Sequence, residues 1–447
     1  MGDMGQHLQS LQQGLVHRLS LDRLLGAVLF RIIIRNIVPY IGIPHMKTPN
    51  RQDYAQKDRG PAAAPFQGVR VIEFCNVAAG PFCGMLLADM GADVVKVESR
   101  SGDTLRQWPP IVDGFSENFA SLNRNKRSIA LDLKDPEDRD VAKHLIAAAD
   151  VVIENNRPGV MARLGLGYDA FAQDHPRLIY CSLSAFGQSG PRAGDGGFDV
   201  TVQAMSGIMS VTGEADGAPV KAGVPVSDFA TGLYGAFAVA SLLARVRAGG
   251  EGGHVDVSML GSSLAISALQ VSEFFGSGRD PVRLGAAHPR NAPYQAFRAG
   301  DGDFVLAAGN DKLWRSVCEI VGRIDLLDDS RFRSTRDRAA HQGELAVILN
   351  AAFAGRSVAD LLAAFEAAGV PCSRINSYSE ALAEPQVAHM GWVREVVLPT
   401  GKASRIFGSP IGIGNTPHRI RHAPPALDAD REDILRELAA TRLQAAS

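Results

Sequence analysis

The chain has 447 residues, 46% of them apolar and 21% charged, with a formal net charge of −2. That length exceeds one small core and implies two or three domains, with material for a deep site. The balance of charge excludes attachment to nucleic acid or an anionic surface through bulk charge, and the apolar content is that of a soluble globular protein.

Residues 1–65 differ from the rest. Residues 24–43 (LLGAVLFRIIIRNIVPYIGI) are strongly apolar, but Arg31, Arg35 and Pro39 interrupt a run that would need about 20 predominantly apolar residues to span a bilayer. Arg31 and Arg35, four apart, share one helical face, as in an interfacial amphipathic helix or a transit-type segment. A translation start at Met46 fits the same residues. The stretch 51–65 (RQDYAQKDRGPAAAP) is a polar, Ala/Pro-rich linker.

From residue 66 the pattern changes. Residues 69–74 predict a strand, 76–80 a small-residue turn, 81–90 a helix with Pro81 at its first position, and 93–97 a second strand. This βαβ unit continues with a strand at 128–133, a helix at 136–149, a strand at 151–154, a short helix near Val160 and a strand at 178–182. Such alternation implies an α/β fold with a parallel sheet covered on both faces, whose ligands bind beyond the carboxyl ends of the strands. The turn NVAAG at 76–80 lacks GxGxxG, which argues against a dehydrogenase. Its amides, and those opening the next helix, are free to hold a phosphate or a developing oxyanion.

Residues 187–197 (GQSGPRAGDGG) form a flexible loop, followed by 198–209 (FDVTVQAMSGIM) and then KAGVPVSDFATGLY at 221–234. In the last stretch 224–226 reads as extended chain, and 229–244 as a helix that Ser227 or Asp228 can cap. Asp228 also reads as a nucleophile. A carboxylate among Pro, Val, Phe and Gly is poorly hydrated, and a helix N-terminus stabilises its anion. A Gly-rich turn at 247–253, a strand at 254–258 and a helix at 259–275 follow, with His254 read as a strand-end polar residue. Segments 291–297, 304–308, 313–321, 358–368 and 370–375 predict a smaller strand-and-helix module. The organisation is thus 1–65 extension and linker, 66–280 large domain, 281–384 small domain and 385–447 a return to the large domain.

Cys75, Cys83, Cys181, Cys318 and Cys372 include no CxxC pair and read as reduced thiols of a cytosolic-type compartment. The 11 His residues show no HExxH or other ligand spacing, so no metal site is expected.

The segments VRVIEFCNVAAGPFCGMLLADMGADVVKVE, LNRNKRSIALDLKDPE, ADVVIENNRPGVMARLGLGYDAF, SAFGQSGPRAGDGGFDVTVQAMSGIMSVTG and PVKAGVPVSDFATGLYGAFA resemble class III CoA-transferases, the CaiB/BaiF family, over about residues 66–430. The resemblance implies a Rossmann-like large domain with a parallel sheet, a smaller α+β domain, and two subunits threaded through each other as interlocked rings. It implies that Asp228 attacks an acyl-CoA thioester, forming an aspartyl anhydride and then an aspartyl-CoA thioester that an acceptor carboxylate attacks. Coenzyme A enters as part of the substrate, with no permanent cofactor. A carboxylate nucleophile keeps the acyl group activated without ATP.

The family's CoA contacts carry onto Val77 and Ala79 beside the thioester, Leu131 and Lys134 near the nucleotide, Asn155 along the pantetheine or adenine path, and Arg163 near the phosphates. Apart from the resemblance, Lys134 and Arg163 read as solvated cations. Asp199, next to Phe198, matches an acidic active-site position of related transferases. Formyl-CoA:oxalate members carry Gln where this chain has Ala78, and a GGGG loop that is missing here, which argues against oxalate as acceptor. The 2-methylacyl-CoA racemases of the same fold are the alternative. Their GHD loop places His where this chain has Phe198, which cannot move a proton. Arg290, Asn291, Tyr294 and Asn310 are candidates to bind a second carboxylate, in a pattern that resembles members using succinyl-CoA and small dicarboxylates. The expected location is cytoplasmic, or mitochondrial if the extension is a transit peptide.

Overall fold

The computed structural model describes residues 64–414 and 419–446, and the expectations for residues 1–63 lie outside the described residues. All described residues belong to one compact unit. Strands β1 (Arg70–Phe74), β2 (Asp93–Glu98), β3 (Lys126–Ala130), β4 (Val151–Glu154), β5 (Ile179–Ser184) and β6 (Gly253–Ser258) form one sheet in the order β3-β2-β1-β4-β5-β6. Every pairing in it is parallel. The order reverses between β1 and β4, and the crevice beyond that switch point is where such sheets bind ligands.

The inner strands β1, β4 and β5 are buried along nearly their whole length because both faces are covered, whereas the edge strands β3 (KRSIA) and β6 (GHVDVS) mix apolar and polar residues. On one face Val71, Val94, Ile153, Cys181 and Leu183 pack with helices α1 (Ala79–Asp89) and α4 (Val226–Arg247). On the other, Ile72, Val95, Ile129 and Val152 meet Leu145 and Ile146 of α2 (Pro136–Ala147) and Ile434 and Leu438 of α5 (Arg431–Ala446). The C-terminal helix thus closes the same face as α2.

Strands β7 (Tyr294–Arg298), β8 (Asp303–Ala307) and β9 (Cys372–Arg374) form a separate antiparallel sheet. Its own core contains Phe297, Phe304, Trp314, Phe332, Phe353 and Phe365. Beyond it, the hairpin β10 (Val393–Val397) and β11 (Ala403–Phe407) sends Val396 and Ile406 into a cluster with Met85 of α1 and Phe119.

Several boundaries differ from expectation. Strand β3 lies at Lys126–Ala130 instead of 128–133, because Asp132 turns the chain out of the sheet by accepting the Lys134 N–H at 3.0 Å. Helix α1 starts at Ala79, two residues before Pro81, which still lies in the first turn where no intrahelical N–H bond is lost. The single helix expected at 259–275 is two, Met259–Ile266 and Ala268–Ser277, divided at Ser267, whose hydroxyl bonds back to the Ser263 carbonyl at 2.8 Å.

Candidate active site

The β1–α1 turn is built from unusual backbone. Val77 is β-branched yet adopts φ 64°, a left-handed conformation that costs on the order of 1–3 kcal/mol and persists only when its surroundings hold it. Its N–H donates to Asp103 Oδ1 at 3.0 Å. Asn155, at the end of β4, accepts the Asn76 N–H at 2.9 Å and donates to the Asn76 carbonyl at 2.9 Å, bridging the switch point. Ala78 precedes α1 and Ala79 opens it. Neither has a side chain able to cap; Pro81 has no N–H and the Phe82 N–H bonds to the Ala78 carbonyl at 2.9 Å, so the amides of Ala78, Ala79 and Gly80 are the ones that no side chain caps.

Asp228 lies in the first turn of α4. That helix begins at Val226, earlier than expected, and neither Ser227 nor Asp228 caps it. The cap comes from α3 (Asp199–Met205): Asp199 Oδ1 accepts the Ser227 N–H at 2.9 Å and the Asp228 N–H at 3.4 Å. Gln203 fixes that carboxylate by donating to Oδ2 at 2.6 Å, and its carbonyl oxygen accepts the Ala222 N–H at 2.9 Å. Ser227 points inward and accepts from the Ser263 hydroxyl at 2.8 Å. Asp228 is half-buried, and its pKa is pushed from 3.8 to about 7, chiefly by burial and then by the charge of Asp199.

Glycines bring α4 onto α1. A Cβ at Gly232 would lie 2.7 Å from the Ala79 carbonyl and 3.0 Å from the Phe82 ring, so only glycine permits this approach. The Phe82 and Phe229 rings meet at 4.7 Å, and Val77, Ala78 and Phe229 pack on one apolar cluster. Asp228, one turn before Gly232, therefore stands beside the 77–79 turn. Phe198 sits immediately before α3, 78% exposed and without a titratable group.

A cavity of about 620 Å³ opens at the carboxyl ends of β1, β2 and β3, lined by residues that include Asn76, Glu98, Leu131, Lys134 and Arg163. Lys134 and Arg163 are exposed, and no salt bridge of either occurs among the described residues. Three of the four predicted CoA-binding residues thus meet at one cavity. The fourth, Asn155, does not line it and spends its amide on the Asn76 backbone. The carboxylate candidates are largely engaged elsewhere: Arg290 pairs with Glu273 at 2.7 Å and Asn310 caps a helix through the Leu313 N–H at 2.9 Å. Tyr294 is exposed on β7, edge-on to His288. His254 lies 2.9 Å from the Ser182 hydroxyl and stacks on Tyr168. Among the described residues, no three His, Cys, Asp or Glu side chains converge on a point that could hold a metal ion.

Sequence reasoning missed Asp103, which holds Val77, and Gln203, which holds Asp199. Asp103 acts on a backbone amide 26 residues away, which no spacing marks. Gln203 stands four residues after Asp199 on the same helix, a spacing that offered a signal, while its bond to the Ala222 N–H did not.

Residues 66–431 match CoA-transferase family III. The chain belongs to that family and is a CoA-transferase. It is 42% identical over 382 residues to a succinate–glutarate CoA-transferase of Agrobacterium fabrum, covering 84% of this chain and 96% of the relative. It is 39% identical over 378 residues to the mouse succinyl-CoA:glutarate CoA-transferase, covering 84% and 86%. Among solved structures, a CaiB/BaiF family protein from Brucella suis is similar with a TM-score of 0.75 and 36% identity, over 84% of this chain and 100% of that one.

Proposed function

We propose that the protein moves CoA from succinyl-CoA to a small dicarboxylic acid of the glutarate class, with Asp228 as nucleophile. The observation that carries the reading is a half-buried carboxylate, tuned to about 7, at a helix N-terminus beside the 77–79 turn, whose following helix has no side-chain cap. An Asp228 oxygen attacks the thioester carbonyl, the C–S bond breaks, and CoA thiolate leaves a succinyl-aspartyl anhydride. The thiolate then attacks the aspartyl carbonyl, releasing succinate and leaving an aspartyl-CoA thioester. The acceptor carboxylate attacks that carbonyl and expels CoA thiolate. Attack of the thiolate on the acceptor's acyl carbon gives the new acyl-CoA and restores Asp228.

The chain's own residues orient and stabilise. Amides at 78–80 face the developing oxyanion, and Asp199 fixes the first turn of α4. Lys134 and Arg163 pair with CoA phosphates across the cavity beyond β3, so binding energy from the nucleotide positions the thioester. Residues 281–384 form the small domain. Leu233 and Phe237 on α4, with Leu269 and Phe275 beyond it, leave a broad exposed apolar face that a second copy of the chain would cover, in line with an interlocked dimer. Five unpaired cysteines accord with a reducing compartment.

The test is mass spectrometry of purified protein with succinyl-CoA and a panel of carboxylic acids, including glutarate and oxalate, without ATP. Glutaryl-CoA is the expected product, lost in Asp228→Ala while CoA still binds. Preference for monocarboxylates over every dicarboxylate would overturn the acceptor class. Deuterium uptake at the α-carbon of a 2-methylacyl-CoA without exchange would overturn the transfer reading.

A further inference from the structure

Beneath the turn at 76–79 lies a cluster of charges that the chemistry above does not use. Glu73, Lys96, Asp103 and Lys126 are all buried, two carboxylates balanced by two ammonium groups. Lys96 Nζ lies 3.1 Å from Glu73 Oε1 and 2.9 Å from Asp103 Oδ2, and donates to the Cys75 carbonyl at 2.7 Å. Lys126 Nζ lies 2.9 Å from Glu73 Oε2 and donates to the Pro81 carbonyl at 2.8 Å and to Asn123 Oδ1 at 2.9 Å. Asp103 accepts the N–H groups of Val77 at 3.0 Å and Leu105 at 2.9 Å. Its own N–H donates to Glu98, which Arg106 holds through two bonds.

Such a cluster is poorly explained by stability, because apolar residues of the same volume serve a core as well or better. Its contacts point to another task. Lys96 grips the carbonyl before the turn, Asp103 the amide inside it and Lys126 a carbonyl after it. What they hold is Val77 in a conformation that a β-branched residue does not keep by itself. Helix α1 is shaped around the same cluster, since a Cβ at Gly84 would overlap the Glu73 carboxylate.

We propose that Glu73, Lys96, Asp103 and Lys126 form a positioning device that presses the 77–79 turn into the geometry needed opposite Asp228, with Asp103 as its working contact. The inference rests on Asp228 as nucleophile. Asp103 touches no substrate. It acts through the Val77 amide, and a turn misplaced by 1 Å is enough to lose about 10²-fold in rate.

The test compares Asp103→Ala, which removes the acceptor, with Asp103→Asn, which keeps one for the Val77 N–H. The readouts are kcat and KM with succinyl-CoA and glutarate, CoA affinity by calorimetry, and melting temperature. Asp103→Ala is expected to lower kcat by about 10²-fold while KM for the acyl-CoA and CoA affinity stay within a few-fold. Asp103→Asn is expected to recover at least about 10-fold of that loss. Adding Val77→Gly to Asp103→Ala, which lets the backbone take positive φ unaided, is expected to restore part of kcat. A merely structural role would lower melting temperature without separating kcat from KM and without this rescue. If Asp103→Ala does not fold, Asp103→Ser takes its place, its hydroxyl too short to reach the amide.

Wild-type kcat in a folded Asp103→Ala or Asp103→Ser variant, a loss confined to KM, or failure of both Asn and Val77→Gly to recover activity overturns the inference. An active Asp228→Ala would remove the nucleophile on which it rests. Asp228→Ala inactive beside a fully active Asp103→Ala removes the positioning role alone.

Discussion

Replacing Asp228 by Asn should make the protein more stable as it abolishes turnover, and only above a defined pH. The folded protein holds the Asp228 proton up to about pH 7, whereas the unfolded chain releases it near 3.8. Between those values the native state binds more protons than the unfolded state, so wild-type stability falls as pH rises. Asparagine never ionises and escapes that loss. The gap corresponds to a ceiling of about 4 kcal/mol at ~1.36 kcal/mol per pH unit, and solvent reaching a half-buried group reduces it to about 2 kcal/mol. For a compact unit of this size, with ~2.1 cal/mol/K of unfolding entropy per residue, that is a rise in melting temperature of about 2–5 °C. The assay is calorimetry of both proteins from about pH 4 to 9, without substrates. The melting temperatures should coincide near pH 4, diverge through pH 5–7 and differ by a constant amount above about 8. A difference independent of pH, or an Asn variant no more stable at pH 8, would refute burial and the Asp199 charge as the source of the raised pKa.

The other predictions concern rate and binding. The plot of log kcat/KM against pH should climb with unit slope to a plateau above about 7, and Asp199→Asn should move that limb to lower pH by removing the neighbouring charge. An unmoved limb would separate Asp199 from the nucleophile. Lys134→Ala and Arg163→Ala should each raise KM for the acyl-CoA by about 10-fold with kcat retained, since phosphate pairing is the same in ground and transition states; steady-state kinetics at low and high salt decides this. Gly232→Ala should destabilise the protein by about 1–3 kcal/mol and lower kcat, because its Cβ would meet the Ala79 carbonyl and force α4 away from the turn. Unfolding and turnover of that variant would contradict the close approach if both matched the wild type.

Much of the large sheet was legible as a sequence. The strand 151–154 is buried on both faces and reads as the apolar run VVI closed by Glu154, and the helix before it carries its own cap, Asp135. The boundaries that slipped, at β3 and at Ser267, were set by local side-chain bonds that compete with regular structure. For the site, Asp228 stood out by its position between an apolar run and a helix, and Leu131, Lys134 and Arg163 by resemblance. The cap of α4 was assigned to the wrong residues, because the true cap, Asp199, reaches it from another helix.

By itself, then, the sequence determined most strands of the large sheet, the helices between them and which carboxylate stands at the start of the long apolar helix, since these follow from periodicity and from the order of apolar and turn residues. Only the tertiary structure decided what surrounds that carboxylate. In DVVKVE the strand alternation places Lys96 as if facing water, yet it lies fully buried between Glu73 and Asp103. A buried ion is tolerable only when its partners are present, and those partners come from β1 and from the chain after β2. Their convergence is a property of the folded sheet, and one-dimensional pattern carries no record of it.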